Sequence, residues 1–310
     1  MVLTNISVVK ELLSRHGFSF TKSLGQNFLV NPRVSPRMAA DALSGLEPPR
    51  NVIEIGAGVG VLTRELAVRA DNVAVVEIDE TLKPVLSETL ADFDNVGIIW
   101  GDALNMDMRA LIAERFGAGR ASVCANLPYY AATRVITRLL EERLPINSIT
   151  VMVQEEVARR ITAPPGSGLY GILSVGVNFY GSPKALFRVP RGSFLPSPGV
   201  DSAVIKIDVF KERRPEIPDE RLFFRLVRAA FSERRKQLAN PVSKEFGLDK
   251  QTVKQALRDC GLNTLSRAEE LGTEDFIRLC GFLPAAPENP LSPGEGTVKG
   301  DLSEPGGQRQ

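Results

Sequence analysis

The chain has 310 residues, 43% hydrophobic and 24% charged, ordinary values for a folded protein with room for one large and one small domain. Its 38 basic and 37 acidic residues leave a formal charge of +1, which excludes a polybasic chromatin-type protein while allowing a local basic patch. A single histidine, three widely spaced cysteines without C-x-x-C and no apolar run of the ~18 residues that a membrane span needs argue against metal sites, disulfide frameworks and membrane insertion.

The N-terminal MVLTNISVVKELL lacks the basic-then-apolar order of a signal peptide, so a soluble cytoplasmic protein is expected. Strands are predicted over 51–55, 73–78, 96–100, 121–125 and 148–153, with helical spacing between them, as at Leu62, Leu66 and Ala70. That alternation predicts an α/β fold, a mostly parallel sheet covered on both faces. Two more strands, 184–189 and 202–207, have no convincing helix between them and predict an antiparallel end to the sheet. The first domain is placed at 1–211.

Beyond that point the strand signal vanishes. Amphipathic helices are predicted over 221–238 and 249–260, the second stopped by Gly261, with a last helix starting at Thr273. Ser266 and Glu269 have capping-box spacing. A small helical domain is therefore expected at 212–283. The tail, 284–310, holds five prolines, five glycines and no aromatic residue, a composition expected to be disordered.

The strand NVIEI runs directly into Gly56-Ala57-Gly58-Val59-Gly60. Glycines at a strand-to-helix turn let a ligand approach the backbone. Glu77 ends the next strand 19 residues after Gly58, where an acid can accept hydrogen bonds from ribose hydroxyls. A dinucleotide fingerprint requires glycine where Val61 stands. The E-x-G-x-G-x-G form resembles instead the first motif of S-adenosylmethionine-dependent methyltransferases. Asp102, in GDAL after the third strand, sits where such enzymes contact adenine; it can also serve as a helix N-cap.

The fourth strand ends in Asn126-Leu127-Pro128-Tyr129-Tyr130, a polar and aromatic cluster where ligands bind open parallel sheets. Such a cluster suits methylation of an adenine amine, whose lone pair is delocalised into the ring. An Asn oxygen and a backbone carbonyl accepting its two N–H bonds favour a more tetrahedral nitrogen. A tyrosine face stacks on the base for about 1–3 kcal/mol. The chemistry is positioning and electrostatics, with no obligatory strong base.

Taken in order, KSLGQNFLVNP (22–32), VIEIGAGVGVLT (52–63), VVEID (75–79), GDAL (101–104), NLPYY (126–130), MVQEEVARR (152–160), YGILSV (170–175), FLPSPGVDSAV (194–204) and FSERRKQL (231–238) resemble the bacterial small-subunit (16S) rRNA adenine N6,N6-dimethyltransferases. The resemblance implies a Rossmann-like class I methyltransferase sheet with a small C-terminal all-α domain. It implies dimethylation of two adjacent adenosines near the 3′ end of 16S rRNA, with S-adenosyl-L-methionine as cofactor, and a role in ribosome biogenesis. It places Asn27, Leu29, Gly56, Gly58, Glu77, Asp102 and Asn126 on the cofactor. Asn126, Leu127, Pro128 and Tyr129 would act at the target base. Phe194 is either a second aromatic beside that base or a hydrophobic plug. Tyr130 stands where some members have asparagine and others tyrosine, and the chain departs from the common family pattern at Arg134, where proline often follows the threonine.

At about 100° per residue, Arg221, Arg225, Arg228, Arg235 and Lys236 share one face of the helix predicted over 221–238, opposite Phe223, Val227 and Ala230. Such a face is either simply solvated or a contact for RNA phosphates. The target adenine must be single-stranded or flipped out. The expected partner is 16S rRNA in the small ribosomal subunit, for a monomeric protein using no metal. The competing readings are the related large-subunit enzyme type that confers macrolide resistance and a ribosome-assembly factor acting mainly by binding. A nicotinamide-dependent dehydrogenase ranks last, because of Val61.

Overall fold

The structure, a computed structural model, describes residues 1–19, 25–212 and 219–283. The tail expected to be disordered and Lys22–Leu24 of the first motif lie outside the described residues.

In chain order the elements are α1 (Ile6–Arg15), β1 (Phe28–Leu29), α2 (Val34–Leu43), β2 (Asn51–Ile55), α3 (Val61–Ala67), β3 (Asn72–Glu77), α4 (Lys83–Thr89), β4 (Val96–Trp100), α5 (Met108–Phe116), β5 (Ala121–Asn126) and α6 (Ala132–Glu141). They continue with β6 (Ile146–Gln154), α7 (Glu155–Ile161), α8 (Ile172–Tyr180), β7 (Gly181–Val189), β8 (Phe194–Leu195), β9 (Ser202–Val209), α9 (Glu220–Ser232), α10 (Ala239–Phe246), α11 (Lys250–Asp259) and α12 (Thr273–Phe282). They form two compact units, Met1–Ala158 with Ser182–Lys211, and Arg159–Gly181 with the residues from Glu212 onward.

The first unit holds a seven-stranded sheet in the order β4-β3-β2-β5-β6-β9-β7. Strands β2 to β6 run parallel to their neighbours, and β9 runs antiparallel to β6. The antiparallel turn of the sheet is thus present, but β9 inserts between β6 and β7. Every residue of β2 is buried, as expected for a central parallel strand covered on both faces. Strand order reverses between β2 and β5. That switch point opens a crevice at the carboxyl ends of the strands, where the turns after β2, β3, β4 and β5 converge.

A polar row crosses this sheet. Glu54 pairs in register with Cys124, Cys124 with Thr150, and Thr150 with Lys206, which puts four polar or titratable side chains side by side on one buried face. Helix α2 covers it. The Cys124 thiol lies 4.0 Å from the Met38 carbonyl, and Lys206 Nζ donates to the Asp41 carbonyl at 2.8 Å.

The second unit departs from the expected boundary, since 159–181 were assigned to the first domain and belong here. The reason is aromatic packing. Phe179 stacks on Phe223 at 4.4 Å between ring centroids, and Tyr180 stacks on Phe224 at 5.8 Å, so α8 completes the core of α9. The predicted helix 221–238 is also two helices. α9 stops at Ser232, whose hydroxyl donates to the Ala229 carbonyl at 2.7 Å. The chain then turns inward, burying Leu238 and donating its N–H to the Ser266 carbonyl at 2.9 Å. α10 follows with Pro241 in its first turn, where a missing N–H costs nothing. α11 and α12 lie where predicted. Asp249 caps α11, and Asp275 accepts from the Gly272 N–H at 2.8 Å ahead of α12. The turn at 268–270 starts after Arg267 rather than Ser266 and has no side-chain cap among the described residues; the Ser266 N–H donates to the Asn263 carbonyl.

Candidate active site

The crevice encloses a cavity of about 260 Å³ in the first unit. Gly56, with φ +81°, and Gly58, with φ +57°, form its floor in a conformation that side chains other than glycine's disfavour. Glu77 closes one wall, accepting from the Gly58 N–H at 3.2 Å and the Asp79 N–H at 2.9 Å. Burial pushes its carboxyl upward, and these backbone N–H groups hold it partly down. Asp102 lines the cavity while accepting from the Leu104 N–H and Asn105 Nδ2, at 2.8 and 2.7 Å. It caps no helix, because α5 starts at Met108 with Asp107 as its N-cap; its bonds close the turn after β4 instead.

Three contacts hold Gly25–Leu29 over this floor. Gln26 Nε2 donates to Asp79 Oδ2 at 2.6 Å, and the Asn27 carbonyl accepts from Asn126 Nδ2 at 3.3 Å. The Phe28 ring lies 3.0 Å from where a Cβ on Gly58 would stand. From the residues alone this segment reads as a loop. Its two-residue strand β1 pairs with β8, Phe28 opposite Leu195 and Leu29 opposite Phe194, and that pairing carries Phe194 to the cavity. Phe194 is 4% exposed and also lines it, so it plugs the core and faces the cavity at once.

On the opposite side stands the strand-end motif. With Asn126 Nδ2 engaged by Asn27, Oδ1 is the atom able to accept a donor from the cavity. The Pro128 carbonyl accepts from the Ala131 and Ala132 N–H groups at 3.0 Å, locking the turn into α6. The half-buried Tyr129 hydroxyl shares a hydrogen bond with Ser202 Oγ at 2.7 Å, so β9 fixes the ring. Asn27, Leu29, Gly56, Gly58, Glu77, Asp102, Asn126, Leu127, Pro128, Tyr129 and Phe194 all line the one cavity.

Glu54 is the lining residue that sequence reasoning passed over. It is 1% exposed, and among the described residues neither carboxyl oxygen has a hydrogen-bond partner. Burial pushes its pKa up to about 8; the Thr63 hydroxyl tempers the shift without reaching hydrogen-bond geometry, and the nearby Glu77 adds to it. The signal was present as the acid of E-x-G-x-G-x-G. Three acids around a glycine floor suit a cationic, nucleoside-containing ligand, and S-adenosylmethionine has that chemistry. A Cβ on Gly58 would intrude on Phe28, so the cradle needs its glycine.

The expected basic face is not one surface. Arg235 and Lys236 lie beyond the end of α9, where the chain has left the helical path. Arg225 is committed to α10: its Nε and Nη2 donate to the Glu245 carboxylate and carbonyl, each at 2.8 Å, and its guanidinium sits 4.6 Å from the Phe246 ring centre. Arg221 and Arg228 remain on the helix, Arg221 exposed and Arg228 half-buried, while Arg235 is exposed and Lys236 pairs with Glu233 at 2.5 Å. Phe223, Val227 and Ala230 are buried as predicted.

A family model described as Ribosomal RNA adenine dimethylase matches residues 17–284. A Bacillus licheniformis protein described as Ribosomal RNA small subunit methyltransferase A is 44% identical over 277 residues, 87% of this chain and 93% of its own. A protein of the same description from Alkaliphilus oremlandii is 41% identical over 268 residues, 86% and 93% of the two chains. Among solved structures, the 23S rRNA methyltransferase ErmE covers 83% of this chain and 99% of its own, with a TM-score of 0.66 and 26% identity. A dimethyladenosine transferase from Plasmodium falciparum shares the fold, with a TM-score of 0.69 at 24% identity over 81% and 95% of the chains.

Proposed function

The chain belongs to the ribosomal RNA adenine dimethylase family, and we propose that it dimethylates the N6 amines of two adjacent adenosines near the 3′ end of 16S rRNA in the small ribosomal subunit. The relatives at 41–44% identity support the small subunit over the large. The observation that carries the chemistry is the pairing of Asn126 Nδ2 with the Asn27 carbonyl at 3.3 Å, which orients an acceptor oxygen toward a cavity floored by Gly56 and Gly58.

When bound, S-adenosylmethionine supplies an electrophilic methyl group on a sulfonium. Asn27, Leu29 and the Gly56–Gly58 backbone hold that cofactor, Glu77 takes its ribose hydroxyls, Asp102 its adenine, and Glu54 complements its charge. Asn126 Oδ1 and the Leu127 carbonyl accept the N–H bonds of the target amine, drawing the nitrogen toward a tetrahedral shape and freeing its lone pair. Tyr129, fixed by Ser202, stacks on the flipped base. Pro128 holds the turn, and Phe194 shields the far side from water. No residue need act as a strong base, because the methylated amine loses its proton readily once its charge forms. The protein acts in the cytoplasm as a monomer, and Arg221, Arg228, Arg235 and Lys236 of the second unit add phosphate contacts.

The test is transfer of labelled methyl groups into unmethylated small subunits, large subunits and naked rRNA, with the modified base mapped. Dimethyladenosine confined to the 3′ end of small-subunit RNA is expected. Label in large-subunit RNA would redirect the reading to the resistance-type enzyme, and binding to small subunits without transfer would leave an assembly factor.

A further inference from the structure

The cavity carries one cation among its acids. Its acids are Glu54, Glu77 and Asp102, and among the described lining residues Arg134 is the only cation. Arg134 stands in the first turn of α6 and is exposed. Its neighbour one turn on shows what a structural arginine looks like in this helix. Arg138 gives Nε to Glu142 at 2.6 Å, Nη1 to the Ala103 carbonyl at 2.7 Å and Nη2 to the Met106 carbonyl at 2.6 Å. No such bond engages the Arg134 guanidinium among the described residues. An exposed, unengaged guanidinium at a cavity rim suits an anion, either the carboxylate of S-adenosylmethionine or an RNA phosphate, and the exposure of Arg134 favours the phosphate.

Tyr130 shares that rim. It is 57% exposed although it lines the cavity, and its ring rests 3.3 Å from where a Cβ on Gly25 would stand. Apart from that approach of Gly25, more than half of the residue is open to solvent. An exposed aromatic ring and an unengaged guanidinium lining one cavity are a pairing suited to a single-stranded nucleotide, the base by stacking and the phosphate by a forked hydrogen-bond pair.

We propose that Tyr130 and Arg134 form a rim subsite for the nucleotide adjoining the flipped adenine, with its base on Tyr130 and a backbone phosphate on Arg134. The inference rests on the RNA-methylating function proposed above and extends it to a neighbour of the target.

The experiment uses the full chain with Arg134→Ala, Arg134→Lys, Tyr130→Ala and Tyr130→Phe. It reads KM and kcat on unmethylated small subunits, the salt dependence of subunit binding, and the Kd for S-adenosylmethionine. Arg134→Ala is expected to raise KM about tenfold and to lower the slope of log affinity against log salt by about one. Arg134→Lys should recover part of the slope, because the charge survives without the fork. Tyr130→Ala should raise KM several-fold and Tyr130→Phe should not, with cofactor Kd unchanged throughout. A weakened cofactor Kd in Arg134→Ala with an unchanged salt slope would overturn the proposal and put the arginine on the cofactor's carboxylate. Wild-type KM and slope in both alanine variants would also overturn it. Failure of the function itself is seen separately, as absence of transfer by the wild-type chain, while the salt slope of binding still reports on the subsite.

Discussion

Asn126 Nδ2 donates to the carbonyl of Asn27 at 3.3 Å across 99 residues of sequence. This bond does two things. It ties the segment closing the cavity to the strand-end motif, and it decides which atom of the Asn126 amide faces the target. Asn126→Ala is therefore expected to lower kcat about a hundredfold or more, the scale of removing one preorganised polar group from an active site. Cofactor affinity should fall less. Asn126→Asp should not restore activity, because it has no N–H for the Asn27 carbonyl and would turn an acceptor against an acceptor. Single-turnover transfer with cofactor binding measured alongside checks both, and full activity in either variant would remove Asn126 from the chemistry.

Gly58 is where backbone and packing constraints coincide. Its φ of +57° disfavours any side chain, and a Cβ there would stand 3.0 Å from the Phe28 ring. Gly58→Ala should cost about 1–2 kcal/mol in stability from the left-handed backbone alone and should weaken cofactor binding as Phe28 is displaced. Adding Phe28→Leu relieves the clash and leaves the backbone strain. Cofactor affinity should then recover more than the unfolding midpoint does. Equal recovery of both would mean that the clash, rather than the backbone, is the whole effect.

Arg225 separates a structural arginine from an RNA-binding one. It is clasped to Glu245 and Phe246, a contact about one-third to one-half exposed, so solvent screening limits its worth to about 1 kcal/mol. Arg225→Ala should lower the urea midpoint and leave the salt dependence of RNA binding unchanged. Arg235→Ala, on an exposed turn, should do the reverse. Salt-slope loss in Arg225→Ala without loss of stability would return Arg225 to the RNA surface.

Those two arginines also show where sequence reading reaches its limit. The sheet strands and the turns that follow them were legible because hydrophobic runs and glycine or proline breaks are local signals. Gly56, Gly58, Glu77, Asp102 and the Asn126–Tyr129 turn were legible because each ends or follows a strand, whereas Asn27, Leu29 and Phe194 rested on the resemblance alone. Long-range pairings were not. Nothing local in Phe28–Leu29 announces its register with Phe194–Leu195, and nothing in RRKQLANPV shows that Leu238 is drawn into the core to break a helix. Glu54 was hidden for a related reason. A central parallel strand is buried on both faces, so alternation cannot tell which side chain points to the ligand, and the row Glu54–Cys124–Thr150–Lys206 exists only once four strands are in register.

Glu54 sets a pH dependence whose sign follows from its burial. Its carboxyl is pushed from 4.5 to about 8 in the folded chain, while the unfolded chain keeps the ordinary value. Between those limits the folded state holds a proton that the unfolded state has released. Glu54 is therefore harmless below about pH 4.5, and it lowers stability progressively as pH rises toward 8, beyond which the loss is complete. At pH 7 the cost is about 3 kcal/mol. Glu77 on β3 and Cys124 on β5 face the same interior, the first reinforcing the shift and the second itself pushed up by burial and by Glu54. Urea unfolding from pH 5 to 8 should show wild-type stability falling relative to Glu54→Gln, which keeps the shape and removes the proton. A cation in the cavity favours the ionised carboxylate, so binding of S-adenosylmethionine at pH 7 should release a proton in the wild type. Calorimetry in two buffers of different ionisation enthalpy reads that release directly. Glu54→Gln should bind more weakly and release none, whereas parallel unfolding profiles together with equal proton release in the two proteins would show that Glu54 is already ionised in the folded chain.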